Sequence, residues 1–310
     1  MQIEEELSEL SPSRETLLTI GVFDGVHLGH KYLISKLIEQ ARQNNLLSGV
    51  VTFRQHPQEV VSTRVKLSFL TDPEERRGLL KAEGVDIVVL LSFTAELARL
   101  SPREFVGLLQ KCLRMRGLVI GPDFALGKDR EGDADILSEL GKEKGFSVTV
   151  VPPVMINGEV ASSTVVRKAV SEGDMKKVTE LTGRPFSLHG RVVDGGGRGA
   201  GLGFPTANLD INQEHVLPNE GVYASWAYVD GREYQSLTNI GICPTFGGSE
   251  CVAEVYLVDY RGDLYGRELK VNIMDRLRDE VKFNSAEELK QQIARDVKQG
   301  RAILETRGGI

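Results

Sequence analysis

Cysteine is scarce in this chain. The 310 residues include three cysteines, Cys112, Cys243 and Cys251, with no Cys-x-x-Cys pair and no surrounding cluster of cysteine and histidine. An odd number of isolated cysteines argues against a disulfide framework and against a structural zinc site. We therefore expect the protein to work in a reducing compartment, the cytoplasm.

The sequence also lacks the segments that direct a chain to a membrane or to nucleic acid. It starts with the acidic stretch Met-Gln-Ile-Glu-Glu-Glu, without the basic and apolar regions of a signal peptide. Its most apolar stretch, Ile87 to Phe93, is too short to span a bilayer. The formal charge is −6 and no block of basic residues is present, whereas nucleic-acid binding usually shows as clustered Lys and Arg. We expect neither membranes nor nucleic acids as partners, and the oligomeric state is left open.

The first half of the chain alternates short apolar runs with segments of helical periodicity. The runs lie at 17–23, 49–53, 87–91, 118–121 and 148–151. Strands buried on both faces and separated by helices are typical of a parallel α/β sheet. A further helix is predicted from Ser163 to Leu181, with Gly183-Arg184-Pro185 as its stop signal.

The second half has a different pattern. Its strands alternate apolar and polar residues, and turn signals occur at Asp230-Gly231 and near Gly262-Asp263. This pattern predicts antiparallel hairpins. One helix, from about Ser285 to Leu304, follows them. The change of pattern predicts two domains with different activities, residues 1–184 and 187–310.

A candidate phosphate site follows the first predicted strand, in Gly21-Val-Phe-Asp-Gly-Val-His-Leu-Gly-His30. Ligands of open parallel sheets bind at the carboxyl ends of strands, where helix N-termini attract anions. Gly25 and Gly29 allow a phosphate to approach the backbone, and His27 and His30 can donate hydrogen bonds to it. A glycine turn with two solvated histidines is the plainer interpretation, but Gly-x-Phe-Asp-Gly directly after a strand favours the phosphate site. The segment differs from the Gly-x-Gly-x-x-Gly dinucleotide motif and is similar to the His-x-Gly-His signature of the nucleotidyltransferase superfamily.

A second segment, Ser162-Ser-Thr-Val-Val-Arg167, opens the later helix. Its hydroxyls suit an ordinary N-cap, and hydroxyls followed by an arginine one turn later also suit a phosphate. The segment resembles the second phosphate-binding motif of the same superfamily. The residues predicted to bind ATP at this first site are Gly21, Phe23, Asp24, Gly25, His27, His30, Ser163, Thr164 and Arg167.

The strongest signal is a glycine-rich segment that ends in Pro-Thr-Ala-Asn. Six of the nine residues from 195 to 203 are glycine, a density that costs backbone entropy and is unexpected in an ordinary hairpin turn. A flap over phosphates explains it better. The glycines expected at these phosphates are Gly197, Gly199 and Gly203. The Thr206 hydroxyl and the Asn208 carbonyl oxygen are hard ligands of the kind that magnesium takes while it bridges substrate phosphates.

Gly-Phe-Pro-Thr-Ala-Asn is similar to the hallmark of riboflavin kinases. Three later segments fit the same family: Asn239-Ile-Gly-Ile-Cys-Pro-Thr-Phe246, Asp263-Leu-Tyr-Gly266 and Leu277-Arg-Asp-Glu-Val-Lys-Phe283. Together with the N-terminal motifs, the chain resembles the bacterial bifunctional riboflavin kinase/FAD synthetase from about Leu17 to Asp296. The resemblance implies an α/β Rossmann-like nucleotidyltransferase domain, followed by a small antiparallel six-stranded β-barrel kinase domain with a C-terminal helix.

The resemblance also implies two reactions. Riboflavin is phosphorylated to FMN, and FMN then receives AMP from ATP to give FAD and pyrophosphate. The expected partners are therefore small molecules, namely riboflavin, FMN, FAD and ATP, with Mg²⁺ as the cofactor. The resemblance implies that Glu254 is the kinase base, that Arg278 binds flavin at the kinase site, and that Asp123 binds flavin at the adenylyltransferase site. His27, His30 and Arg167 are the expected catalytic groups of adenylyl transfer.

The chain departs from the family pattern at three places. Gln55 stands where a proline usually precedes the histidine, Ala125-Leu126 stand where a phenylalanine is common, and Tyr256 replaces a frequent histidine. None of these removes a phosphate-handling group, and the first two could change flavin or adenine affinity. Two alternatives are a riboflavin kinase with a weak or inactive adenylyltransferase domain and a non-catalytic flavin-binding regulator. The regulator predicts loss of Glu254, Thr206 or the histidines, all of which are present.

Overall fold

The computed structural model describes residues 2–61, 68–195, 198–245 and 248–307. The chain divides into two compact units, Met1–Ser163 and Thr164–Ile310, which we describe separately. This division lies before the helix predicted at 163–181, whereas the sequence-based boundary lies at 184–187 and stays a prediction. No helix within the described ranges has the length and apolar surface needed to cross a bilayer.

The first unit is built on a five-stranded parallel sheet, as predicted. Its strands are β1 (Thr16–Ile20), β2 (Leu47–Phe53), β3 (Ile87–Leu91), β4 (Met115–Ile120) and β5 (Ser147–Val150), in the order β3-β2-β1-β4-β5. The helices are α1 (Gln2–Ser8), α2 (Leu28–Gln43), α3 (Pro57–Val61), α4 (Pro73–Ala82), α5 (Pro102–Leu113) and α6 (Ala134–Lys144). A short hairpin, β6 (Met155–Ile156) and β7 (Glu159–Val160), ends the unit.

The central strand β1 is buried because helices cover both faces of the sheet. Leu18 belongs to an apolar cluster with Phe105 of α5. Leu17, on the opposite face, belongs to a second cluster with Leu37 of α2 and Leu80 of α4. Since all strands run parallel, their carboxyl ends meet at one edge of the sheet, and the turn at 21–27 lies there.

The second unit is a closed antiparallel barrel with helices packed on it, which confirms the predicted fold class. The strands are β8 (Phe186–Val193), β9 (Ala207–Asp210), β10 (Gly221–Val229), β11 (Arg232–Thr245), β12 (Gly248–Leu257) and β13 (Glu268–Arg278). Their order around the barrel is β10-β11-β12-β9-β8-β13. The helices are α7 (Ser163–Glu172), α8 (Met175–Thr182), α9 (Arg198–Gly201) and α10 (Ala286–Arg307).

The hairpin prediction at Asp230-Gly231 is confirmed. Val229 pairs with Arg232, and the two residues between them have φ of 50° and 77°. Positive φ at both central residues is the geometry of the two-residue turn that joins twisted strands.

The single helix predicted from Ser163 to Leu181 is wrong in one respect, because the structure has two helices there. Gly173 adopts φ of 75° and ends α7. The Asp174 side chain then accepts a hydrogen bond from the backbone N–H of Lys177 at 2.9 Å, which starts α8. A glycine in the left-handed region stops a helix without steric cost, and the apolar periodicity continuing through it concealed the break.

Candidate active sites

The turn between β1 and α2 is strained at the place where the sequence predicts phosphate binding. Phe23 and Val26 have φ of 53° and 37°, and Gly25 has φ of 77°. Positive φ is costly for side chains with a Cβ, above all for a β-branched residue such as valine. Strain of this kind persists only where surrounding structure over-determines it, and it clusters at ligand sites.

Asp24 is the residue that holds this turn in shape. Its buried carboxylate accepts hydrogen bonds from the backbone N–H groups of Leu70 and Thr71 at 3.0 and 3.1 Å, and from the Thr71 hydroxyl at 3.1 Å. The Ser163 hydroxyl donates to the carbonyl of Asp24 at 2.8 Å. The carboxylate predicted to bind ATP therefore faces the segment before α4, and Ser163, which the sequence predicts to bind phosphate, contacts the turn through this hydrogen bond.

His27 is the N-cap of α2, a position that fixes its tautomer. Its Nδ1 accepts a hydrogen bond from the backbone N–H of His30 at 3.4 Å. Because Nδ1 accepts, a neutral His27 carries its proton on Nε2 and can donate from there. A Cβ on Gly29 would lie 3.0 Å from both the His27 ring and the Ala161 carbonyl oxygen, so glycine leaves room for this ring.

His30 stacks on His27 at a ring-centroid distance of 3.6 Å, and the Phe23 ring lies in an edge-on arrangement with its centroid 5.0 Å from that of His30. Its Nδ1 is buried and has no hydrogen-bond partner within the described part of the chain. Burial, the neighbouring His27 and the positive charge of Arg76 hold the pKa of His30 well below its ordinary value. The imidazole is therefore neutral at physiological pH.

The other predicted residues of the first site lie at several places. Gly21 contacts the Phe23 ring, which would lie 3.1 Å from a Cβ at that position. Asp123 is exposed in the loop after β4, where its carbonyl oxygen accepts a hydrogen bond from Arg130 at 2.9 Å. Thr164 and Arg167 lie in the first turns of α7, at the beginning of the second unit.

The two departures from the family pattern in the first unit have different surroundings. Gln55 accepts a hydrogen bond from the backbone N–H of Phe93 at 3.0 Å. This hydrogen bond joins the segment after β2 to the segment after β3, at the edge of the sheet where the carboxyl ends of the strands meet. Leu126 is buried in the apolar cluster with Phe105, so it fills core volume and leaves no polar group at the site.

The second unit contains a cavity of about 630 Å³, a volume typical of small-molecule sites. Five residues predicted for the kinase site line it: Gly199, Thr206, Asn208, Glu254 and Arg278. Gly203 is exposed and has φ of 87° in the turn before Phe204. The predicted Gly197 and the motif residue Phe246 lie outside the described residues.

Barrel register brings the predicted base and a predicted metal ligand together. Glu254 of β12 pairs with Asn208 of β9 on one side and with Asn239 of β11 on the other. Side chains directly opposite each other on neighbouring strands share one face of the sheet, and all three line the cavity. Sequence reasoning identified the Asn239 segment only as a family motif and assigned the residue no role.

Glycine is required where the flap meets these side chains. A Cβ on Gly195 would lie 1.9 Å from the side-chain nitrogen of Asn208. A Cβ on Gly199 would lie 2.3 Å from the carbonyl oxygen of Phe204 and 3.5 Å from the Thr206 hydroxyl oxygen. The backbone therefore packs directly on the two residues predicted to hold magnesium.

The residues present fit a magnesium ion that completes its coordination with phosphate and water. Thr206 and Asn208 supply hard oxygen atoms at the cavity wall, which suit this cation. The described residues contain no group of three or more His, Cys, Asp or Glu that could hold a metal. Magnesium is commonly bound by a few protein oxygens plus substrate phosphates, without a cage of protein ligands.

Arg278 lies in the cavity wall, but its donors are already engaged. It forms hydrogen bonds of 2.8 to 3.1 Å with both carboxylate oxygens of Asp296, which is only 3% exposed. Gln292 donates to the same carboxylate at 2.8 Å. The pair joins β13 to α10, and the sequence carried no signal for Asp296. Several apolar side chains also line the cavity, among them Leu237, Phe283, Leu289 and Ile293.

Tyr256, the third departure, also lines the cavity. Its ring meets the edge of Phe204 at a centroid distance of 5.3 Å. Burial raises the pKa of its hydroxyl, which therefore stays protonated. The pair places an aromatic wall beside the flap.

Comparison with known proteins gives concordant matches. Residues 10–165 match the family model of FAD synthetase, and residues 182–304 match that of riboflavin kinase. The chain is 39% identical to the bifunctional riboflavin kinase/FMN adenylyltransferase of Escherichia coli (strain K12), covering 92% of each chain. It is 38% identical to that of Pseudomonas fluorescens, covering 98% of each. A crystal structure described as a macrolide-efflux protein from Streptococcus pneumoniae is similar with a TM-score of 0.89 and 31% identity, covering 97% of each chain.

Proposed function

This chain belongs to the family of bifunctional riboflavin kinase/FMN adenylyltransferases, and on that basis we propose which of its residues take part in each of the two reactions. The enzyme phosphorylates riboflavin to FMN and then transfers AMP from ATP to FMN, giving FAD and pyrophosphate. We assign the first reaction to the barrel cavity and the second to the turn that carries His27 and His30. The observation that carries the assignment is Glu254 between Asn208 and Asn239 in the wall of the cavity.

Glu254 is the cavity carboxylate best placed to act as the kinase base. Among the described residues, four carboxylates line the cavity. Asp296 is paired with Arg278, and Asp194 and Glu280 are exposed. Glu254 is half-buried beside the predicted metal ligands. The 5′-hydroxyl of riboflavin is a poor nucleophile until a base accepts its proton, and Glu254 does so here.

The lining of the cavity suits both substrates. Its apolar side chains, with Leu237 and Phe283 among them, receive the flavin ring, and the glycine segment covers the ATP phosphates. Thr206 and Asn208 would hold a magnesium ion, which would supply charge neutralisation on the β- and γ-phosphates. Arg278, locked by Asp296, supports flavin binding instead of approaching the phosphates.

Adenylyl transfer requires less chemistry from the protein. A phosphate monoester has its second pKa near ~6, so FMN arrives ionised and needs no general base. His27 and His30 donate from Nε2 to the α-phosphate and to the leaving pyrophosphate, where charge increases. Ser163, Thr164 and Arg167 complete the phosphate contacts, and Asp123 contacts the flavin. The transfer is direct, with no covalent enzyme intermediate.

A pair of variants tests the division of labour. Glu254→Gln keeps the shape of the side chain but removes the proton acceptor, so riboflavin phosphorylation is expected to fall roughly 10²–10⁴-fold. The double variant His27→Ala, His30→Ala is expected to accumulate FMN and make little FAD. Each variant is assayed with riboflavin plus ATP and, separately, with FMN plus ATP.

Each variant serves as the other's control, because each is expected to keep the reaction that the other loses. Phosphorylation at the wild-type rate in Glu254→Gln rules out the base assignment. FAD formation at the wild-type rate in the double variant does the same for the histidines. A wild-type protein that stops at FMN would establish the alternative of an inactive adenylyltransferase domain. We further propose that the enzyme acts in the cytoplasm.

A further inference from the structure

Arg76 of α4 is a buried arginine that the reactions above leave unexplained. It is 0% exposed. Its Nη2 donates a hydrogen bond to the carbonyl oxygen of Phe53 at 2.5 Å, while Nε and Nη1 are buried without a hydrogen-bond partner among the described residues. In that part of the chain no carboxylate lies within ion-pair distance of it, although Asp24 and Asp72 are close enough to favour its charge.

A buried charge without a full set of partners is expensive to keep. Replacing buried ionic groups by apolar side chains of similar volume is often neutral or stabilising. Fold stability therefore gives no reason to retain arginine at this position, whereas a methionine or leucine would fill the same space. The residue calls for a role other than packing.

Helix and strand periodicity place Arg76 on the same side of the sheet as His30. On α2, His30 precedes Ile34 by four residues, and on α4 Arg76 precedes Leu80 by four. Ile34 and Leu80 belong to one apolar cluster, and residues four apart share a helix face. Thr19 lies on this side too, two residues after Leu17 of the same cluster. His30 Nδ1, Thr19 Oγ1 and the two Arg76 nitrogens are all buried and unpaired within the described chain.

We propose that Arg76 acts in adenylyl transfer through His30: its buried guanidinium presents positive charge and hydrogen-bond donors to the Nδ1 side of the imidazole, so that Nε2 is the nitrogen that donates to the transferred phosphate. Arg76 is thus a positioning residue, and the inference rests on the proposed role of His30. Buried polar atoms of this kind are commonly joined by internal water, and such a water would carry the hydrogen bonding from the guanidinium to the His30 ring. Arginine only donates, and its positive charge disfavours a proton on the facing Nδ1, so Nδ1 is the acceptor at the end of the hydrogen-bond chain.

In this arrangement the two stacked imidazole rings both accept a hydrogen bond at Nδ1. His27 already has Nδ1 engaged as an acceptor, from the backbone N–H of His30. With Arg76 behind His30, both imidazoles present Nε2–H groups. The titratable and charged groups that act on His30 are His27 and Arg76, and those that act on Arg76 are Asp24 and Asp72. The fixed positive charge also lies behind the position where the transferred phosphate becomes more negative, in a medium of low dielectric.

The test uses the full-length enzyme with Arg76→Met and the control Arg77→Met. Arg77 is the exposed neighbour on the same helix, paired at the surface with Glu74. At neutral pH, Arg76→Met is expected to lower kcat for FMN adenylylation ~10- to 100-fold, the scale seen when an outer partner of a functional histidine is removed. KM for FMN should change little, and riboflavin phosphorylation by the same preparation should be unchanged. Arg77→Met is expected to match the wild type in both reactions.

The pH profile separates this role from a merely structural one. Removing the positive charge of Arg76 raises the pKa of His30 toward its ordinary value. Protonation then restores both the charge and the Nε2 donor, so the adenylylation rate of Arg76→Met relative to wild type should rise as pH falls. A ratio of rates that stays constant with pH, or a wild-type rate at neutral pH, overturns the proposal.

Nitrogen NMR of the five histidines, with His30 identified by its loss in His30→Ala, gives an independent reading. In the wild type we expect a neutral His30 with its proton on Nε2, and a proton on Nδ1 overturns the proposal even if Arg76→Met fails to fold. In Arg76→Met the pKa of His30 should be higher. If the pKa of His30 is higher in Arg76→Met while the adenylylation rate is unchanged, the electrostatic coupling between Arg76 and His30 is confirmed. The proposed role of His30 in the transfer is then what fails.

Discussion

Gly199 and Gly201 provide a sharp test of the glycine flap, because they lie in the same short helix and differ in their surroundings. A Cβ on Gly199 would lie 2.3 Å from the carbonyl oxygen of Phe204, whereas a Cβ on Gly201 would meet nothing within 4 Å. The Phe204 N–H also donates to the Gly199 carbonyl at 2.9 Å. Gly199 is therefore packed against the segment at Phe204, whereas the space beside Gly201 is open.

The magnitude follows from the overlap. The methyl group of Gly199→Ala would fall 1.1 Å short of the 3.4 Å at which ordinary contact begins, and the opposing atom belongs to backbone that cannot rotate away. Overpacking of this kind costs about 1–3 kcal/mol. If the flap must close to reach the transition state, that cost corresponds to a fall of about 5- to 160-fold in kcat/KM. Gly201→Ala replaces a helical glycine by a better helix former, so it should be neutral or stabilise the short helix by up to about 1 kcal/mol.

Initial rates of riboflavin phosphorylation at varied ATP concentration measure the effect. FMN adenylylation in the same preparation controls for folding, and both variants should keep it. Equal phosphorylation rates in Gly199→Ala and Gly201→Ala would refute the packing argument. An equal loss in both would point to flexibility of the segment, and not to the space beside Phe204, as the property that matters.

The remaining predictions concern the metal and the domains. Thr206→Val removes an oxygen with little change of volume. Riboflavin phosphorylation should therefore weaken and need more Mg²⁺, while adenylylation is unaffected. An unchanged dependence of phosphorylation on Mg²⁺ concentration would exclude Thr206 as a ligand. Fragments 187–310 and 164–310 should both phosphorylate riboflavin and make no FAD, and the longer one should melt at a higher temperature because α8 packs on β8 and β13. If both fragments fold and neither makes FMN, the kinase site borrows groups from the first unit.

Local sequence signals were sufficient to locate the five parallel strands of the first unit. Four of the five apolar runs became largely buried strands, because helices on both faces demand apolar residues at consecutive positions. The fifth became the edge strand β5, where Val150 is exposed. Asp230-Gly231 specified its turn, since both residues must adopt positive φ. Gly173 shows the limit of such signals, because apolar spacing continues across a glycine whether or not the helix does.

The sites depend on contacts that no local pattern reveals. Glu254 and Asn208 are distant in sequence and meet only because the barrel register pairs them. Arg76 lies in the sequence Pro-Glu-Glu-Arg-Arg, which looks solvent-exposed throughout. Which of its two arginines points inward depends on how α4 packs, and so no sequence pattern singles out Arg76.

The two sites handle phosphate differently because their nucleophiles arrive in different states. The riboflavin hydroxyl is protonated and becomes nucleophilic when a base accepts its proton, and the barrel places Glu254 on the cavity wall beside Asn208, one of the two residues proposed to hold magnesium. In the proposed mechanism, a magnesium ion held there would offset the charge of the phosphates. FMN brings its own negative charge, and a carboxylate facing it would repel it. At the first site the one buried carboxylate of the turn, Asp24, faces the backbone of Leu70 and Thr71. The groups proposed to meet phosphate there are instead imidazoles, backbone N–H groups and hydroxyls, all of which can donate hydrogen bonds.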